Sequence, residues 1–111
     1  MVVKVDHNQI KNDGCYYLTR TNLQSLLTLD LSHNAIENEG CKHLAKANLP
    51  SIRTLLVSNN NFSEKGLVFL SMGEWQLLAY IQAKENAFEP NKEIEMVKFR
   101  SEVAFFRLEI Q

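Results

Sequence analysis

Apolar residues recur along this chain at a fixed step of 26 residues. Val3, Leu29, Leu55 and Ile81 form one column, and Val5, Leu31, Val57 and Ala83 form a second. Leu26, Ile52 and Leu78 form a third; Ile10, Ile36, Phe62 and Phe88 a fourth; Leu18, Leu44, Leu70 and Met96 a fifth. Polar positions keep the same step: Asn8, Asn34, Asn60 and Asn86, then Gly14, Gly40 and Gly66, then Cys15 and Cys41. Self-similarity at a fixed period marks a stack of structural units, each unable to bury its apolar stripe alone.

Each unit carries two periodicities. Leu29 and Leu31 alternate with Thr28, Asp30 and Ser32, the period of two that belongs to a short strand with one buried face. After Asn34 the chain turns. A helical stretch is expected from Asn38 or Glu39 through Ala47, with Cys41, Leu44 and Ala45 on one side. Ser63-Glu64 reads as an N-cap and helix start, and Pro50 marks a return loop. The column Asn8, Asn34, Asn60, Asn86 reads as structural, because an amide that both donates and accepts can satisfy the backbone of the next turn.

In the second unit, residues 26–36 read LxxLxLxxNxI, and the third and fourth units repeat this over 52–62 and 78–88. The string resembles the signature of the leucine-rich repeat family. The following Ile36 to Leu44 stretch, with Gly40 and Cys41, is similar to the ribonuclease-inhibitor-like and cysteine-containing subclasses. The resemblance implies an α/β leucine-rich-repeat solenoid of about four repeats, a curved right-handed β-α superhelix. Its parallel strands would lie on the concave face and its helices on the convex face. The implied organisation is a single domain over 1–111, with repeats of about 1–25, 26–51, 52–77 and 78–104 and a partial fifth strand at 105–111.

The period breaks after Phe88, where Lys92 replaces the expected glycine. A helix is expected from about Asn91 to Glu102, with Ile94, Met96 and Val97 as core residues. In strict frame, Arg107 and Glu109 of the last strand would face the core, which is costly. A shift of one residue turns Phe105, Leu108 and Ile110 inward, so the fourth unit is expected to have 27 residues. The first unit opens inside its strand and the last stops in mid-unit at Gln111. Either a fragment of a longer array or a short protein with unusual ends is expected. Both outer strands would then be open to pairing with another chain.

The outward strand positions are the candidate binding surface. They comprise Thr28, Asp30, His33, Thr54, Leu56, Asn59, Tyr80, Gln82, Lys84 and Glu85, with Tyr80 and Leu56 as the expected contact centre. Val2, Lys4 and Asp6 continue these columns into the first unit, and His7 stands one step before His33. The two imidazoles would sit about 4.8 Å apart between strands. Even with Asp6 and Asp30 nearby they make an incomplete zinc site, so no metal and no cofactor is expected.

Composition narrows the function further. Lys plus Arg number 12 and Asp plus Glu 13, for a formal net charge of -1, which argues against a nucleic-acid or anionic-membrane partner. The bases Lys98, Arg100 and Arg107 near Phe99, Phe105 and Phe106 are interleaved with Glu93, Glu95, Glu102 and Glu109, and read as a solvated face. Two cysteines are too few for a disulfide scaffold and fit a reducing cytosol, reached by synthesis or by delivery. No catalytic motif is present, and Asn61-Phe62-Ser63 is a glycosylation sequon only if the chain is secreted. The expected function is a non-catalytic protein-protein interaction module, part of a regulator or effector, recognising another protein through the concave sheet. The alternative is an assembly piece that forms homo-oligomers through its edge strands.

Overall fold

The structure, a computed structural model, describes residues 1–6, 8–89, 99, 101–103 and 106–111. Five strands, β1 (Val2–Lys4), β2 (Thr28–Asp30), β3 (Thr54–Leu56), β4 (Tyr80–Gln82) and β5 (Arg107–Glu109), pair in parallel in chain order as one sheet. Parallel neighbours need a crossover between them. Three of the crossovers contain helices: α1 (Lys11–Leu18), α2 (Asn38–Leu44) and α3 (Glu64–Ser71). The fold is therefore α/β, as the sequence pattern implies.

Register follows the columns. Val3 pairs with Leu29, Leu29 with Leu55 and Leu55 with Ile81. Between β4 and β5 the step lengthens: Tyr80 pairs with Arg107 and Ile81 with Leu108. Arg107 and Glu109 thereby take outward positions beside Tyr80 and Gln82, and Leu108 takes the inward one.

The core lies between sheet and helices. Leu29, Leu55 and Ile81 from the strands meet Cys15, Cys41, Leu44, Leu67 and Leu70 from the helices, all buried. Burying each aliphatic side chain is worth about 1.5–3 kcal/mol. Phe62 fills the third unit with no exposed surface, and its ring meets Phe88 edge-on at 5.8 Å. Trp75 closes the return loop, 2% exposed, its indole N–H donating to the Ala47 carbonyl at 3.2 Å. Val3, Val5, Leu108 and Ile110 are only partly buried, because each lies at an end of the sheet.

The helices are shorter than the apolar spacing predicts. α2 stops at Leu44 rather than Ala47, with the Ala45 N–H returning to the Cys41 carbonyl and the Lys46 N–H to that of His43. The Ala47 N–H bonds the Leu44 carbonyl in a tight turn that starts the chain back toward the sheet. α3 begins as its sequence predicts: the Ser63 hydroxyl accepts the Lys65 N–H as N-cap. The helix expected from Asn91 lies, over 91–98 and 100, outside the described residues, as does Phe105; Phe99 and residues 101–103 belong to no helix.

Candidate functional site

The outward face of the sheet carries two registered columns. Val2, Thr28, Thr54, Tyr80 and Arg107 form the first; Lys4, Asp30, Leu56, Gln82 and Glu109 form the second. Thr28, Thr54, Leu56, Tyr80 and Gln82 are half-buried, so strand neighbours cover much of each. Leu56 thus stands less free than the expected exposed aliphatic. Asp30 is a clearer departure. It is 8% exposed, and its carboxylate accepts the Ser32 N–H at 3.1 Å, so the strand's own exit turn uses it. Ser58 is 4% exposed; its hydroxyl accepts the Lys84 N–H at 2.9 Å and bonds the Gln82 side chain.

Tyr80 stands in a charged cluster built across β4 and β5. Its hydroxyl donates to Glu109 Oε2 at 3.0 Å. The Glu109 carboxylate also pairs with Lys84 and Arg107, and the Arg107 guanidinium carbon lies 5.3 Å from the centre of the Tyr80 ring. The hydrogen bond to Glu109, reinforced by its charge, raises the Lys84 pKa. Glu109 is held below the usual carboxylate range, first by the Lys84 hydrogen bond and then by that from Tyr80. The expected contact centre is therefore a pre-oriented aromatic ring inside a salt-bridge network. Arg107 and Glu109 belong to that face although sequence reasoning did not assign them to it. The signal was the one-residue shift of the last strand.

His33, Asn59 and Glu85 have a different role from the strand positions. All three are exposed, and their φ angles are 59°, 57° and 55°, in the left-handed region. They are the residues at which each chain segment leaves its strand. The His33 and Asn59 N–H groups donate to the Ser58 and Lys84 carbonyls of the next unit. His7, the expected partner of His33, lies outside the described residues. Among the described residues, no group of three or more His, Cys, Asp or Glu could hold a metal ion.

The asparagine column runs inside the turns. Asn60 Nδ2 donates to the carbonyls of Leu31, Val57 and Ser58, and its Oδ1 accepts the N–H groups of Asn34 and Ile36, both at 3.0 Å. Asn34 donates to Val5 and Ser32 and accepts from Ile10. Asn86 donates to Val57, Ala83 and Lys84, while Asn8, exposed, donates to the Val5 and Asp6 carbonyls of its own turn. A second polar ladder, not anticipated, joins the helix starts. Asn12 Oδ1 accepts from Glu37 and Gly40, Asn38 Oδ1 from Ser63, and Glu64 Oε2 from Glu89. Its signal was the same step of 26, hidden by the change from amide to carboxylate.

Both thiols are buried and unpaired. Burial pushes the Cys15 pKa up to about 12; it also raises that of Cys41, to which the charge of Cys15 adds. Neither is a nucleophile at neutral pH.

A family model described as Leucine Rich repeat matches residues 22–45, the segment from the first return loop through α2. No curated protein and no solved structure matches the chain.

Proposed function

We propose that this chain, a leucine-rich repeat protein, is a non-catalytic module that recognises another protein through the outward face of its sheet. Repeats of this family generally serve protein interaction rather than catalysis. The observation that carries the finer reading is the Tyr80 cluster. Aromatic side chains dominate interface hot spots, and a ring already held by Glu109 and Arg107 loses little entropy on binding. Thr54, Leu56 and Gln82 extend the same surface, and Lys84 and Glu85 edge it with both signs of charge. The contact set we propose is Thr28, Thr54, Leu56, Tyr80, Gln82 and Lys84, with His33, Asn59 and Glu85 at its rim. Asp30 acts beneath it as a support.

The unpaired thiols favour a reducing cytosol as the place of action, for a resident regulator or a delivered effector alike. Affinity capture from lysate with wild type and a folded Leu56→Asp/Tyr80→Asp variant tests the reading. A partner lost by the variant supports it; equal recovery by both overturns it. A second reading, assembly through edge strands, rests on β1 and β5 at the ends of the sheet order and on Val2, 58% exposed. It predicts self-association sensitive to Val3 and Leu108 rather than to Tyr80.

A further inference from the structure

The helix side of the molecule carries a surface that the sheet reading does not use. Between the ends of α2 and α3 lies an apolar groove of about 190 Å³, lined by Lys42, Ala45, Lys46, Phe69 and Met72. Met72 is 52% exposed at its rim, and neighbouring Val68 is 41% exposed. The Lys42 ammonium lies 5.9 Å from the centre of the Phe69 ring. Lys42 and Lys46 are both exposed. Arg20 stands one repeat step before Lys46 and bonds the hydroxyl of Tyr16, which with Tyr17 continues the aromatic surface onto α1.

Lys42 and His43 stand in the last turn of α2, and the first turns of the helices hold acids together with Lys11 and Lys65. The acids Asp13, Glu39 and Glu64 stand in the first turns, and Glu39 pairs with His43 at 3.6 Å. The groove at the other end is lined by two lysines and no acid; Glu74 borders the hollow beside it. A cationic rim around an apolar floor complements an acidic segment that carries bulky apolar side chains. The floor is narrow enough for one or two side chains, which suits a peptide better than the flat surface of a bilayer.

We propose that the α2–α3 groove binds an acidic segment of a partner protein, its apolar side chains on Phe69 and Met72 and its carboxylates on Lys42 and Lys46. The test is a titration of the isotope-labelled chain, followed by amide NMR, with a short peptide holding a central Leu-Phe pair flanked by glutamates. Saturable shifts centred on residues 42–46 and 69–72 are expected, weakening as salt is added. Lys42→Glu/Lys46→Glu should reduce affinity about tenfold or more, as should Met72→Asp. The same peptide with glutamine for glutamate should bind far more weakly, and the folded Leu56→Asp/Tyr80→Asp variant should bind as wild type, separating this site from the sheet face. No shifts at millimolar peptide, shifts centred elsewhere, or unchanged affinity after charge reversal would each overturn the proposal. So would binding to equimolar phosphatidylcholine–phosphatidylserine vesicles without peptide binding.

Discussion

The amide oxygen of Asn12 lies 2.9 Å from the backbone nitrogen of Gly40, one helix reaching into the first turn of the next. The approach is that close because position 40 has no side chain: a Cβ there would meet Asn12 Oδ1 at 2.5 Å and Ile36 Cγ2 at 2.7 Å. Gly66 repeats the relationship with Asn38 and Phe62. Gly40→Ala should therefore destabilise by about 1–3 kcal/mol, although alanine is the better helix former. Adding Asn12→Ala should recover part of that loss, because it removes one of the two colliding atoms. Urea unfolding of the three variants checks this; a neutral or stabilising Gly40→Ala would show that the helices are free to separate.

The asparagine ladder should be graded by how many backbone groups each amide satisfies, five for Asn60, three for Asn34 and two for Asn8. Asn60 is 5% exposed and satisfies five backbone groups, whereas Asn8 is exposed and serves two carbonyls of its own turn. Asn60→Ala leaves buried N–H and carbonyl groups unpaired and should cost about 1–3 kcal/mol or more; Asn34→Ala should follow it, and Asn8→Ala should cost least. Asn86 differs, since its Oδ1 is buried with no partner among the described residues, and its substitution should cost less than that of Asn60. Thermal melting of the four variants gives the order directly.

The step of 26 made the strands, their inward faces and the Asn60 position legible, because each of those columns keeps one residue class. Other columns kept a geometry without keeping a chemistry. His33, Asn59 and Glu85 share a positive φ imposed by the turn, so three unrelated side chains hid a backbone requirement. Asn12, Asn38 and Glu64 share an acceptor oxygen but not a residue type. Leu23, Leu49 and Trp75 are also one step apart, and only Trp75 adds a donor, which reaches Ala47. The Tyr80–Glu109 contact depends on where β5 aligns after a step one residue longer, and so on pairing rather than on spacing. Asp30 obeys the alternation, yet its carboxylate turns back to the Ser32 N–H, a local bond that a period of two does not encode.

Glu85 occupies the left-handed region at φ 55°, which costs a residue with a Cβ roughly 1–2 kcal/mol. Glu85→Gly or Glu85→Asn should therefore leave stability unchanged or raise it by up to about 1 kcal/mol, whereas Asn59→Val should lower it. If Glu85 is also a rim contact, the stabilised Glu85→Gly protein will bind its partner more weakly, which divides the turn role from the binding role. A loss of stability in Glu85→Gly would contradict the strain.

The Glu109 network sets a pH dependence. The Glu109 pKa is lowered from 4.5, so its stabilisation is complete above that value and is lost as pH falls through the lower folded value. That of Lys84 is raised from 10.5, so its share is complete below that pH and is lost as pH rises beyond the folded value. Melting temperature should be level with respect to this network between those limits and decline on both sides. Glu109→Gln should lower it at neutral pH, with the gap to wild type closing in acid. A gap that stays constant down to pH 2 would assign the effect to packing of the side chain instead.

The two thiols offer a readout of core opening. Cys15 and Cys41 are 0% and 1% exposed, and burial holds the Cys15 pKa near 12, so almost no thiolate is present at pH 8. Iodoacetamide should then label the native chain orders of magnitude more slowly than the unfolded chain, at a rate set by opening of the α1–α2 layer. Labelling should accelerate in urea in step with unfolding. Cys41→Ala should be tolerated with a loss near 1 kcal/mol, and Cys41→Ser should cost more, because a hydroxyl in that apolar site has to be desolvated. Native-state labelling as fast as that of a free thiol would mean that the helices do not cover the sheet as described, and would remove the support for both proposed surfaces at once.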